Sequence, residues 1–244
     1  MSATLPYQLY AISDQAITLD FGGPISEETN DRVHRLVASL QQNMLPGITD
    51  IIPAYNSVTV VYDYMTVYQQ QLKNKNSLPV YSLIECWIEN SVNQQSIENE
   101  DDKKEIIIPV CYDKSVGVDI EFVAKSHALS IEQVIELHTA KTYRVFMNGF
   151  LPGFAYMGIV DERISMPRHD KPRAQVLPGS VGIAGIQTGI YPLTSPGGWQ
   201  IIGRTPLKTF DKNATQLARF KVGDLIQFYP ISKTEFDKLN EHNL

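Results

Sequence analysis

The sequence predicts an α+β protein in two parts: a small α/β domain over residues 1–92, and a β-rich domain, an antiparallel barrel or sandwich, over 105–244. Three observations carry this. The first 92 residues alternate β-rich runs with a helix-spaced apolar stripe. Residues 93–104 are nearly devoid of apolar side chains and include an acidic run, the composition of an exposed linker. Beyond residue 142, short β-rich runs alternate with glycines and prolines, and ten of the fifteen glycines and seven of the fourteen prolines fall between Gly149 and Pro206.

Taken in order, residues 7–21 read as two short strands around a Ser-Asp-Gln turn, with Leu9, Ile12, Ile17 and Leu19 expected to point inward. Ser26 stands at an N-cap position, followed by Glu27 and Glu28 and then by Val33, Leu36, Val37 and Leu40 at helical spacing. That predicts a helix to about Gln42, stopped by Pro46-Gly47. "ITDIIPAY" and "SVTVVYDY" form a second strand pair, 67–76 a loop or short helix, and 79–92 a helix. The second half opens on the strand "EIIIPV" and continues into two short helices, the second started by a Ser130/Gln133 capping box. "DLIQFYPI" is the last strand.

Composition bounds the function. With 43% hydrophobic and 20% charged residues the chain can bury a core, and a net charge of −6 argues against nucleic acid as a partner. No stretch reaches the run of apolar residues needed to cross a bilayer, and the N-terminus lacks the pattern of an export signal, so a cytoplasmic protein with no membrane partner is expected. Cys86 and Cys111 are the only cysteines and read as reduced thiols, one disulfide between them being the alternative. The five histidines are scattered without ligand spacing, so no metal is expected. Phosphate-loop, dinucleotide and nucleophile-elbow motifs are absent, which disfavours a self-contained ATPase, dehydrogenase or α/β-hydrolase.

Three stretches are candidates for chemistry. Arg163, Arg168, Lys171 and Arg173 gather with His169 within eleven residues, enough for a carboxylate- or phosphate-binding fork, although Asp161, Glu162 and Asp170 partly neutralise the run. Residues 179–199 place Ser180, Gln187, Thr188 and Ser195 among glycines, where side-chain donors and bare backbone can converge on a ligand; turn formation explains the same polarity. His138 falls on an otherwise apolar helix face, where an imidazole must either find a partner or act on a substrate.

"GFLPGFAYMG", "PGSVGIAGIQTGIYPLTSPGGWQIIGRTPL" and "VGDLIQFYPI" together resemble the signature of the bacterial 5-oxoprolinase B-subunit family, also called allophanate hydrolase subunit 1 or sporulation-kinase inhibitor. The family is similar to part of the carboxyltransferase lobe of urea carboxylase, and "AITLDFGGPISEETNDRV", "LPGITDIIPAYNSVTVVYD" and "IIIPVCYD" extend the likeness over the first half. The resemblance implies an α/β domain followed by a cyclophilin-like β-barrel. It implies ATP-dependent opening of 5-oxo-L-proline to L-glutamate by an assembly with a homologous C-subunit and a separate A-subunit. ATP would be a co-substrate of that complex, this chain would carry no biotin, and alone it would be inactive.

Carried over by motif, the implied site residues are His138, Arg168 and Arg173 as catalytic groups. Phe150, Pro152, Gly153, Phe154, Tyr156, Arg163, Pro167 and Pro172 would contact ligand. So would Gly179, Ser180, Gly182, Gly185, Gln187, Thr188 and Tyr191, and then Ser195, Pro196, Gly197, Gly198, Trp199 and Arg204. Ala155 stands where a proline commonly precedes the tyrosine, and Ile186 where a glycine is frequent, adding bulk to the expected cleft. If "GFLPGFAYMG" is a regular strand, positions 150, 152, 154 and 156 share one face. Two alternatives stand beside the enzyme component: a regulator docking on a sensor histidine kinase through a face rimmed by Phe150, Phe154, Tyr156 and Trp199, and a carboxyltransferase or allophanate-processing component.

Overall fold

The computed structural model describes residues 7–75, 77–93 and 104–241. The chain divides into two compact units, residues 1–101 and 102–244. Residues 94–103, most of the expected linker, lie outside the described residues.

In the first unit, β1 (Gln8–Ser13) and β2 (Ala16–Asp20) precede α1 (Glu27–Gln42), and β3 (Ile48–Pro53) and β4 (Ser57–Tyr62) precede α2 (Tyr64–Lys73) and α3 (Val80–Asn93). The strands form one antiparallel sheet in the order β1-β2-β4-β3. Ile17, Leu19, Val58 and Val60 project from one face of it, and Val33, Leu36 and Leu40 of α1 and Ile84 and Ile88 of α3 complete a single buried cluster. The Ser26 hydroxyl accepts the Thr29 N–H at 3.2 Å, which makes it the cap expected of α1. Asp63 does the same for α2, accepting from Thr66 at 2.6 Å, so most of the polar stretch expected as a loop or short helix is helical. Ile12, expected inward, is 59% exposed. It is three residues from Leu9, and in a strand with a two-residue repeat an odd spacing puts the two side chains on opposite faces.

The second unit begins with β5 (Glu105–Cys111), α4 (Ile120–Ser126) and α5 (Ile131–Thr139), followed by β6 (Thr142–Asn148) and β7 (Ala155–Gly158). Then come β8 (Arg173–Val176), β9 (Ser180–Ala184), β10 (Gln187–Ile190), β11 (Ser195–Gly197), β12 (Gln200–Arg204), β13 (Leu225–Ile231) and α6 (Lys233–Glu241). Seven of these strands close a barrel in the order β10-β7-β6-β13-β5-β12-β9, while β8 and β11 form a separate two-stranded ribbon. The barrel is antiparallel except at one seam: β13 runs parallel to β5 over seven residue pairs, from Leu225 opposite Glu105 to Ile231 opposite Cys111. Its interior is solid, packed with Ile108, Val110, Val145, Met157, Ile183 and Phe228 among others, and Val123 of α4 and Val134 of α5 belong to the same core. The Ser130/Gln133 capping box is formed as expected, with both reciprocal bonds in place.

"GFLPGFAYMG" is not one regular strand. Only Ala155–Gly158 is β7, and the residues before it turn, with Phe150 at φ 68° and Gly153 at φ 83°. A side chain on Gly153 would bring its Cβ to 2.6 Å from that of Phe210, so both the backbone angle and the space require glycine. The two-residue alternation holds only from 154 on: Ala155 and Met157 enter the barrel core, while Phe154 and Tyr156 face a second, outer cluster.

Candidate functional site

The outer cluster lies between the barrel wall and the β8–β11 ribbon. Phe154, Tyr191 and Trp199 are almost wholly buried in it with Val176, Ala184 and Ile201. Their rings meet edge to face, Phe154 lying 5.3 Å from Tyr191 and 5.4 Å from Trp199 between centroids, an arrangement that adds to the area they bury. The absence of a side chain at Gly189 allows this: a Cβ there would stand 2.9 Å from the Ala155 carbonyl and 3.2 Å from both Phe154 and Trp199. Burial pushes the Tyr191 phenol up, and the Trp199 backbone N–H it accepts partly offsets this. Of the four aromatics expected to rim a docking face, Phe154 and Trp199 are core, Tyr156 is half-buried, and only Phe150 is exposed, at 58%.

The basic run does not form one fork. Arg163 is held by Asp161, with Nε 2.9 Å from Oδ1 and Nη2 3.0 Å from Oδ2, on a short 3-10 turn at Glu162–Ile164. Arg173 on β8 pairs instead with Asp119 and donates to His169 Nε2 at 2.9 Å. Asp119 is the centre of this second group. Its side chain is 6% exposed; Oδ2 accepts the Ile201 N–H at 2.6 Å and lies 3.4 Å from His169 Nε2, while Oδ1 takes Arg173. The β12–β9 ladder shifts register between Ile201 and Gly203, and at that break the Asp119 carboxylate supplies the acceptor for Ile201. Arg168 is exposed, its guanidinium carbon 6.0 Å above the Trp199 ring, with no ion pair among the described residues.

His138 lies elsewhere, fully buried inside the barrel and stacked on Phe228 at 4.7 Å. Thr188 Oγ1 donates to the Gly182 carbonyl at 3.0 Å, so it accepts from His138 Nε2 at 2.9 Å, and the Tyr112 hydroxyl donates to Nδ1 at 2.8 Å. Both ring nitrogens are therefore used by a neutral imidazole. Burial lowers its pKa from the usual 6.5 to about 3. Thr188 is spent on the same relay.

The remaining expected residues divide. Arg168 and Pro172 lie beside Gly198, next to Trp199, with His169 N–H bonded to the Gly198 carbonyl at 2.7 Å, while Gly197 packs against the Tyr191 ring and the Pro167 carbonyl accepts Gln200 Nε2 at 3.0 Å. Ser195, on β11, is buried with an unpartnered hydroxyl, and Pro196 beside it is exposed. Gly182 lies on β9 beneath Trp199, while Gly185 and Ile186 form the tight link from β9 to β10, with Gln187 opening β10. Ile186 thus serves a hairpin, its carbonyl accepting the Val160 N–H at 2.9 Å. Phe150, Pro152 and Gly153 belong to the turn before β7. Gly179, Ser180 and Arg204 stand on the other side of β8, where Arg173, Ser180 and Arg204 line a cavity of about 310 Å³ that Val116, Val118, Val176 and Ile201 also line. Asp119, Val116, Val118 and Val176 lie outside the stretches that carried the resemblance. Among the described residues no group of His, Cys, Asp and Glu could hold a metal ion, both cysteines are free thiols, and no helix is long and apolar enough to cross a membrane.

A four-stranded α/β unit followed by a helix-flanked barrel, with a solid interior and an aromatic cluster against a two-stranded outer ribbon, defines a two-unit barrel protein. More particularly, the chain belongs to the family described as carboxyltransferase domain, subdomain C and D, which matches residues 7–220. It is 39% identical over 240 residues to the 5-oxoprolinase B subunit of Bacillus subtilis, covering 98% of this chain and 99% of that one. The solved structure of TTHA0988 matches 89% of the chain at 32% identity and a TM-score of 0.73, the match spanning 40% of that longer protein. The Kluyveromyces lactis urea amidolyase shares the fold, at a TM-score of 0.77 and 19% identity, over 97% of this chain and 15% of that one.

Proposed function

We propose that this chain is the B subunit of a 5-oxoprolinase, a multi-subunit hydrolase that uses ATP to open 5-oxo-L-proline to L-glutamate. The observation that carries this is the 39% identity to the Bacillus subtilis B subunit, end to end in both chains. The lactam carbonyl is a weak electrophile, so transfer of the ATP γ-phosphoryl to its oxygen, with release of ADP, is a sensible way to activate it: water then adds to that carbon, the ring C–N bond breaks and phosphate leaves, and cations that steady the developing negative charge are the useful protein groups. Arg168 fits that part, being exposed, without an ion pair among the described residues and held against Trp199. The imidazole of His138 is enclosed and neutral, and the chain has no phosphate loop, which supports a division of labour. In it a homologous C-subunit and a separate A-subunit supply the missing groups, ATP is bound outside this chain, and the isolated chain is inactive.

The test is reconstitution. This chain is purified with its C-type and A-type partners and assayed for ATP-dependent glutamate release from 5-oxo-L-proline. Turnover that vanishes when this chain is omitted, and falls by about tenfold or more with Arg168→Ala, agrees with the proposal; undiminished turnover without the chain refutes it.

A further inference from the structure

The cavity beside β8 has an electrostatic imbalance that the other described residues do not relieve. Two arginines line it and no acid does. Arg173 is neutralised by Asp119. Arg204 is not: its Nε donates to the Pro178 carbonyl at 2.8 Å, its guanidinium carbon sits 5.8 Å from the Phe236 ring, and no carboxylate among the described residues pairs with it. It is half-buried, and burial lowers its pKa with no opposing acid. A partly desolvated cation without a counter-ion is costly, and a bound anion removes the cost. Around it the walls are mostly apolar, and Val118 and Leu177 at the mouth are 58% and 46% exposed, while Ser180 and Gln175 add polar groups. A volume of about 310 Å³ suits a small molecule.

We propose that this cavity binds 5-oxo-L-proline, with the carboxylate on Arg204, the ring methylenes against Val116, Val118, Val176 and Ile201, and the amide edge toward Ser180 and Gln175. This rests on the B-subunit reading and adds where the lactam acid is held. One cation for one carboxylate, with apolar walls for a saturated ring, matches that substrate better than a polyphosphate, which needs several donors and little apolar wall.

The experiment titrates the full chain with 5-oxo-L-proline, with 2-pyrrolidinone, which keeps the lactam and lacks the carboxylate, and with ATP. The same variants are then assayed in the reconstituted complex. Arg204→Gln removes the charge, and Val118→Trp, at an exposed position, fills the cavity without touching the core. The expected result is binding of 5-oxo-L-proline by the wild-type chain, no binding of 2-pyrrolidinone, and at least about tenfold weaker binding or higher KM in both variants, with unchanged thermal melts for Val118→Trp. If the wild-type complex turns over normally and both variants keep wild-type affinity and KM, the cavity assignment is wrong while the B-subunit role stands. If the complex is inert yet the chain binds the lactam acid through Arg204, the cavity is right and the B-subunit role fails. Binding of ATP there in place of the lactam acid overturns the proposed occupant.

Discussion

Protonating His138 should destabilise the protein in a way that can be isolated. The ring is enclosed by Tyr143 and Phe228, its Nδ1 accepts from Tyr112, and its Nε2–H goes to Thr188, so a second ring proton has no acceptor. With the pKa lowered from 6.5 to about 3, the folded chain stays neutral where the unfolded chain takes up a proton. The sign follows: above pH 6.5 the group costs nothing, and stability is lost as pH falls from there toward 3, at about 1.4 kcal/mol per pH unit. By pH 4.5 that is on the order of 3 kcal/mol, a large share of the roughly 5–15 kcal/mol typical of a domain. Urea unfolding of wild type and His138→Gln at about pH 7.5, 5.5 and 4.5 measures it. The variant should start less stable, since glutamine does not replace the stacked ring, but lose about 2–3 kcal/mol less over the interval. Equal pH slopes, or an imidazole titrating near 6.5 by NMR, would refute the reasoning. A proton carrier at His138 would in addition make the pH–rate profile of the complex change in the variant, and the enclosed geometry predicts that it does not.

Asp119→Asn should cost about 2 kcal/mol in chemical denaturation, below the usual cost of breaking a buried ion pair because the Arg173 side chain keeps 32% of its exposure. Gly189→Ala should cost about 1–3 kcal/mol and, read in a Trp87→Phe background, shift Trp199 fluorescence to the red, since its methyl meets the Ala155 carbonyl and the two rings and loosens a buried indole. Thiol labelling under native conditions should modify Cys86, which is exposed, and reach Cys111, which is buried, only at the rate of unfolding.

The sequence was most readable where local chemistry decides. Ser26 before α1 and the Ser130/Gln133 pair before α5 are caps whose partners lie three residues away, so their positions follow from the chain itself. The parallel seam between β5 and β13 was not readable, because the strands are separated by most of the second unit and their pairing depends on how the barrel closes. The basic run misled for a related reason. Arg163 and Arg173 are close in sequence, but Met166 bridges to Gly185 between them, and each arginine finds its own acid. Asp119 lies outside every stretch the sequence singles out for chemistry, so its part was not readable. It stands before α4 like an N-cap, yet makes no side-chain cap bond and turns its carboxylate to Ile201 and Arg173 instead.

That turn of Asp119 explains why the two arginines of one cavity are chemically unlike. A carboxylate that already completes the broken β12 ladder is fixed in place by the Ile201 N–H, so it neutralises Arg173 at little further entropic cost. Arg204 leaves the same strand at its far end, where its Nε is tied to a neutral carbonyl that orients the guanidinium but cannot compensate its charge. The irregularity of one strand thus decides which cation is structural and which is left for a ligand. The aromatic layer beneath β8 holds that arrangement rigid: Val176 and Ile201 belong at once to the Phe154–Trp199 cluster and to the cavity wall, so the cavity is shaped by buried rings.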